Sequence, residues 1–261
     1  MNLDLTGKNA LVCGSTQGIG RASAIELALL GANITLLARN ETKLKEVLST
    51  LPAVNKQSHK YLVADFDNPD QLKTISDHYS AHNQVDILIN NTGGPAAGPA
   101  IDAELDEYIN AFRMHLIANQ ILAQAFAPSM KKNNFGRIIN IISTSVKTPI
   151  TGLGVSNTIR GAVANWAKTL ALELGPFGIT VNNILPGYTM TGRLESIINT
   201  TADKTAKARE KVMEEMISTI PAGRIAEPKE VAAAVAFLAS PAAAYINGIN
   251  LPVDGGKTPS L

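Results

Sequence analysis

Short runs of β-branched and other apolar residues recur along the chain, and each is followed by a longer stretch whose apolar positions repeat every three to four residues. The runs at 10–12, 34–37, 61–64, 87–89, 138–142, 180–185 and 249–253 read as strands. The stretches at 21–30, 41–51, 69–82, 104–132, 153–174, 195–219 and 228–239 read as helices. Regular alternation of the two predicts βαβ units around a parallel sheet. The near-continuous apolar character of the runs predicts strands covered on both faces. No Ser/Pro/Gly-rich linker and no internal repeat interrupts the pattern, so one α/β domain over 1–261 is expected, a doubly wound parallel sheet of about seven strands. The texture changes over 192–220, where charges of both signs crowd a segment inserted before the last helix. Ligands of such sheets bind beyond the strand carboxyl ends, so this segment reads either as a lid over a crevice or as a solvated surface helix.

Composition narrows the class. The chain has 261 residues, 45% of them hydrophobic, and 23 Lys+Arg stand against 22 Asp+Glu, the balance of an ordinary globule. The nearest approach to a basic run is Lys131-Lys132, which gives no electrostatic footprint for nucleic acid or an anionic membrane surface. The longest apolar stretches fall short of the roughly 20 residues that cross a bilayer. The single cysteine, Cys13, cannot form an internal disulfide, and residues 1–9 lack the basic-then-apolar pattern of a secretory signal. A cytoplasmic protein acting on a small molecule is expected.

After the first strand comes Gly14-Ser15-Thr16-Gln17-Gly18-Ile19-Gly20, and then a helix opens. Glycines let the backbone turn tightly and approach a pyrophosphate, which the free N–H groups and positive dipole of a helix start then hold. The position in the first strand-turn-helix unit is the context that gives this motif its meaning. The second strand ends near the adenosine ribose in such units, where a carboxylate would bind the 2′-hydroxyl and an arginine a 2′-phosphate. Here the residues are Ala38-Arg39-Asn40, which favours NADP(H) over NAD(H). Asp65 and Phe66, after the third strand, could bracket an adenine ring. No third ligand accompanies Asp65 and Asp67, so no metal site is expected there.

Gly14-x-x-x-Gly18-Ile19-Gly20, Asn90-Asn91-Thr92-Gly93, Ser143, Pro186-Gly187 and Val253-Asp254-Gly255-Gly256 together resemble the short-chain dehydrogenase/reductases, in order and over nearly the whole chain. The sequence is similar to the branch that includes the 3-oxoacyl-carrier-protein reductases. The resemblance implies a Rossmann-type fold, with Gly14 to Gly20 on the pyrophosphate, Asp65 and Phe66 on adenine, Asn91 and Gly93 on the adenosine side, and Pro186, Gly187 and Thr189 at the nicotinamide end. It also implies a homodimer or homotetramer formed through the helices at 104–132 and 153–174. Cys13 and Thr92 depart from the family's threonine and alanine, and Cys13 reads as a small packing residue with no base to activate it.

Catalysis in that family rests on a tyrosine, a lysine four residues later, a serine about thirteen residues before the tyrosine, and an asparagine on the long preceding helix. Counting from Ser143 places Ser156 at the tyrosine position, Arg160 at the lysine position and His115 at the asparagine position. None of the five tyrosines has a lysine four residues on. A neighbouring ammonium normally lowers the phenol's pKa from about 10. Serine is a far weaker acid, and arginine keeps its proton. Arg160 can still reach the nicotinamide ribose and keep a positive field. His115, with an ordinary pKa near 6.5, could relay a proton through water or simply hydrogen-bond for structure. Tyr188 could donate from the lid side, and Ser143 with Ser156 could hold a substrate oxygen. Three functions stay open: an NADP(H)-dependent oxidoreductase of a carbonyl or activated double bond, a nucleotide-binding sensor or scaffold without turnover, and a halohydrin dehalogenase, which the intact glycine motif and missing tyrosine disfavour.

Overall fold

The chain alternates strand and helix throughout in a computed structural model that describes residues 1–260. Strands β1 (Asn9–Cys13), β2 (Asn33–Ala38), β3 (Lys60–Val63), β4 (Ile87–Asn90), β5 (Gly136–Ile141), β6 (Ile179–Pro186) and β7 (Asn250–Val253) form one sheet in the order β3-β2-β1-β4-β5-β6-β7. All six pairings are parallel. The helices are α1 (Gly18–Leu29), α2 (Glu41–Thr50), α3 (Pro69–His82), α4 (Leu105–Phe112), α5 (Ala118–Lys132), α6 (Gly154–Leu174), α7 (Gly192–Thr205), α8 (Arg209–Ser218) and α9 (Pro228–Ala239). Among the described residues, no helix is long and apolar enough to cross a membrane.

Side-chain alternation explains why the strands read as unbroken apolar runs. Ala10, Val12, Ile34, Leu36, Ile87 and Ile89 pack one face of the sheet against Leu27 of α1, Leu44 of α2 and Val231 and Val235 of α9. The intervening Leu11, Cys13, Leu37 and Leu88 pack the other face against Leu72 of α3, Leu122 and Phe126 of α5 and Ala167 of α6. Successive strand residues point to opposite faces, and here both faces are dry. Local signals start the helices. The Asn40 side chain accepts from the Lys43 N–H, and that of Asn68 accepts from the Gln71 N–H with Pro69 behind it. Glu227 and Glu230 close a capping box on α9.

One polar feature crosses this apolar sheet. Asn90, Asn140, Asn183 and Asn250 are register partners on β4 to β7, and each amide Nδ2 donates to the next Oδ1 at 2.8, 2.9 and 2.8 Å. The chain of amides, buried at Asn90, Asn140 and Asn183 and partly buried at Asn250, ties four strands at one level.

Three segments differ from the expectation. The helix read over 104–132 is α4 and α5 joined by one wide π-helical turn, Arg113–Ile117, which carries His115 into the interior. Such turns insert one extra residue and re-aim a side chain, which apolar periodicity does not report. The helix read over 195–219 is α7 and α8, separated at Ala206, whose φ of 52° lies in the left-handed region and stops α7. The two then fold together around Leu194, Ile198, Ala202 and Val212. Finally, α1 opens at Gly18 rather than at Arg21, so two of the motif's glycines sit in its first turn.

Candidate active site

The sheet order reverses direction between β1 and β4, and the loops that follow these strands diverge there to leave a crevice. Gly14 leaves β1 with φ of 56°, and a Cβ on it would overlap the carbonyl oxygen of Asn91. Gly20 is pressed against the carbonyl of Gly14. Asn91 locks this arrangement, its Nδ2 donating to the carbonyls of Cys13 and Gly14 at 3.3 and 3.2 Å. Unlike α2, α3 and α9, α1 has no side-chain cap, and Gln17 ahead of it is fully extended. The first N–H groups of α1 are therefore open to an external anion.

A cavity of about 470 Å³ runs from this turn across the sheet end. Thr16, Gln17, Gly18 and Ile19 line it beside Gly14, and Arg39, Asp65 and Phe66 line it toward the β3 edge. Arg39 is exposed and has no ion-pair partner among the described residues. Asn91, Gly93, Pro186, Gly187 and Thr189 continue the wall, which reaches Ser143, Ser156 and Arg160. Ser15, Gly20 and His115, also singled out from the sequence, are not on the lining. Ser15 is fully buried and its Oγ has no partner, so it belongs to the turn's interior. The open helix start, the close-packed glycines and an unpaired arginine at the end of β2 all suit a dinucleotide carrying a 2′-phosphate.

At the far end Ser143 accepts from the Ser145 N–H at 3.0 Å, which leaves its own O–H free to donate into the cavity. Ser156 and Arg160 stand one helical turn apart on α6, and so on one face. Arg160 is buried, and its Nη1 donates to the Ile141 carbonyl at 3.2 Å. Burial, together with the charge of Arg193, pushes its guanidinium down to about 10, still charged at neutral pH. Tyr188 is half-buried on the wall, and burial pushes its phenol up, so it keeps its proton.

His115 lies behind this surface. Its Nδ1 is hydrogen-bonded to the Thr92 hydroxyl, its Nε2 has no partner, and the ring is 2% exposed. Burial, and then the positive charge of Arg160, push the imidazole down to about 2. An imidazole neutral throughout the physiological range has no cationic proton to give, so the relay expected of His115 has no support in its surroundings. Thr92 and His115, two residues that depart from the family pattern, are thus each other's partners. Cys13 packs under β1 with its thiol pushed up to about 12 by burial, which suits a packing residue. Met114, Arg193 and Lys257 also line the cavity, and the sequence reading assigned none of them. Periodicity gives no sign of Met114, because the π-helical turn places it. Arg193 and Lys257 sit in segments of mixed charge.

Comparison with known proteins agrees with this geometry. The family model described as Enoyl-(Acyl carrier protein) reductase matches residues 14–258. The NADPH-dependent reductase BacG of Bacillus subtilis is 30% identical over 260 residues, covering 98% of this chain and all of the relative. The 3-oxoacyl-acyl-carrier-protein reductase FabG of Haemophilus influenzae is 34% identical over 253 residues, 97% of this chain and 98% of the relative. The structure of L-sorbose reductase from Gluconobacter frateurii, complexed with NADPH and L-sorbose, superposes with a TM-score of 0.93 at 27% identity over the full length of both chains.

Proposed function

The chain belongs to the short-chain dehydrogenase/reductase family, and from that premise we propose that it is an NADP(H)-dependent oxidoreductase acting on a carbonyl/alcohol pair or an activated double bond, with a serine–arginine pair where the family has tyrosine and lysine. The observation that carries this reading is the unbroken wall from Arg39, past the Gly14 turn, to Ser143, Ser156 and Arg160. Gly14, Thr16, Gln17, Gly18 and Ile19 receive the pyrophosphate, Arg39 the 2′-phosphate, and Asp65 with Phe66 the adenine. Asn91 and Gly93 lie along the adenosine side, and Pro186, Gly187 and Thr189 flank the nicotinamide end. NADPH, when bound, supplies the hydride.

The chain's own groups do the rest. Ser143 donates its free O–H to a substrate oxygen, with Ser156 beside it. Arg160 keeps a fixed positive charge against the negative charge that gathers on that oxygen, a preorganised field that is stronger in a buried site than in water. The proton comes from water entering beside Ser156 and the Tyr188 hydroxyl. His115 is a positioning residue, tying the π-helical turn to the loop after β4 through Thr92. α7 and α8 act as the lid over this end, with the whole chain serving as one domain. Copies of the chain pair through α4, α5 and α6: Leu105, Ile109 and Phe112 form an exposed apolar stripe on α4, and Leu172 is exposed on α6. Light scattering should find a dimer or tetramer.

The experiment is NADPH consumption across a panel of ketones, enones and acyl thioesters, with the NADPH affinity measured separately. Ser156→Ala should lower kcat at least about tenfold while the NADPH Kd stays within twofold. Equal turnover by the variant would remove Ser156 from the mechanism.

A further inference from the structure

Two guanidinium groups meet on the cavity wall beside Gly94 with no acidic side chain between them. A Cβ placed on Gly94 would lie 3.8 Å from Nη2 of Arg160 and 3.8 Å from Nε of Arg193, so both arginines border the same small space from different elements, α6 and α7. Each is held by a backbone carbonyl rather than a carboxylate: Arg160 by Ile141 at 3.2 Å, and Arg193 by Pro95 at 2.5 Å. Arg160 is 7% exposed. Neither has an ion-pair partner among the described residues. Lys257 brings a third cation to this end, its Nζ 4.9 Å from the centre of the Tyr188 ring. Among the described residues, Asp65 is the one acidic side chain on the lining, and it follows β3, across the sheet.

Arg160 is buried and Arg193 is exposed at its side; a buried cation that faces a second cation and no carboxylate is costly unless an anion completes the arrangement. The anions of a dinucleotide have other holders, the open start of α1 and Arg39, and its nicotinamide carries no negative charge. The anion at Gly94 therefore arrives with the substrate. Met114, Ile150 and Leu194 give the neighbouring wall an apolar surface, which suits a short hydrocarbon body. We propose that the substrate is a carboxylic acid, its carboxylate bound between Arg160 and Arg193 beside Gly94 and its carbonyl or conjugated double bond turned toward Ser143 and Ser156. This assignment rests on the oxidoreductase reading above and names its substrate class. The planar fork of each arginine matches a carboxylate in a way a lysine's point charge does not.

The test is calorimetric titration of the NADP⁺-saturated full-length protein with 4-oxopentanoate, 4-oxocyclohexanecarboxylate and 2-oxo-4-phenylbut-3-enoate, each against its methyl ester. At least one acid should bind about tenfold or more tightly than its ester. Gly94→Asp supplies an internal carboxylate at the shared space; its backbone is outside the left-handed region and its Cβ has ordinary contacts, so the fold should be kept. That variant should lose the acid preference while NADPH binds as before. Arg193→Gln should weaken the acid about tenfold and the ester little. The proposal is overturned if acids and esters bind alike, if no acid binds, or if Arg193→Gln weakens NADPH as much as it weakens the acid, which would make Arg193 a holder of the dinucleotide. NADPH consumption by the same protein, assayed separately with NADPH and the same acids and esters, separates the two readings. Acid-selective binding without NADPH oxidation keeps the carboxylate site and refutes the reductase, whereas oxidation of esters and acids alike keeps the reductase and refutes the site.

Discussion

Lowering the pH from 7 to 5 should cost the folded protein about 2 kcal/mol through His115 alone. The ring is 2% exposed, and its pKa is pushed down to about 2 by burial and by Arg160, whereas in the unfolded chain it titrates near 6.5. Above 6.5 both states hold a neutral imidazole and the group is silent. As the pH falls below that value the unfolded chain takes up a proton that the folded one refuses, so stability drops by about 1.4 kcal/mol per pH unit until the folded-state value is reached. From pH 7 to 5 the sum is about 2 kcal/mol, or about 4–8 °C in Tm for a chain of this size. Other groups titrate over the same range, so the assay is a double difference: urea unfolding of the parent and of His115→Asn at both pH values. The stability gap between the two proteins should shift by about 2 kcal/mol in favour of the asparagine variant at the lower pH. A gap that stays constant would refute the neutral, buried imidazole. The same reasoning predicts that the pH profile of turnover has no inflection near 6.5 that His115→Asn removes.

Two further outcomes follow from single contacts. Arg39→Ala should weaken NADPH about tenfold in a fluorescence titration and leave NADH unchanged, because only the 2′-phosphate distinguishes the two; an equal effect on both would place Arg39 elsewhere. Asn140→Leu cuts the amide chain in its middle and leaves the Asn90 donor and the Asn183 acceptor buried and unpaired. It should cost roughly 2–6 kcal/mol in urea unfolding, and a loss under 1 kcal/mol would show that the chain of amides contributes little.

The sheet was legible because burial on both faces writes itself into the sequence as apolar runs, and the Gly14 turn because its backbone admits no Cβ. Arg39 could be placed by its distance from that turn alone. The π-helical turn was not legible, since one extra residue in a helix leaves the apolar period intact on either side while it redirects His115 and Met114. The amide chain was visible only as lone asparagines in apolar strands, and their partnership depends on register, which a single strand does not carry. The pairing of Thr92 with His115 and the convergence of Arg160 with Arg193 join residues 23 and 33 positions apart in the chain, through contacts that only the folded sheet brings about. The break at Ala206 needed a left-handed residue other than glycine, which composition does not announce.

Hydride transfer with Ser156 and Arg160 in place of tyrosine and lysine is tested most directly with NADPH deuterated at the transferring position of the nicotinamide. Incubated with the keto and enone acids that bind, the protein should give a reduced product carrying one deuterium per NADP⁺ formed, and Ser156→Ala should slow that transfer at least about tenfold. A product without deuterium, or NADPH that stays bound and unconsumed across the whole panel, would contradict the account.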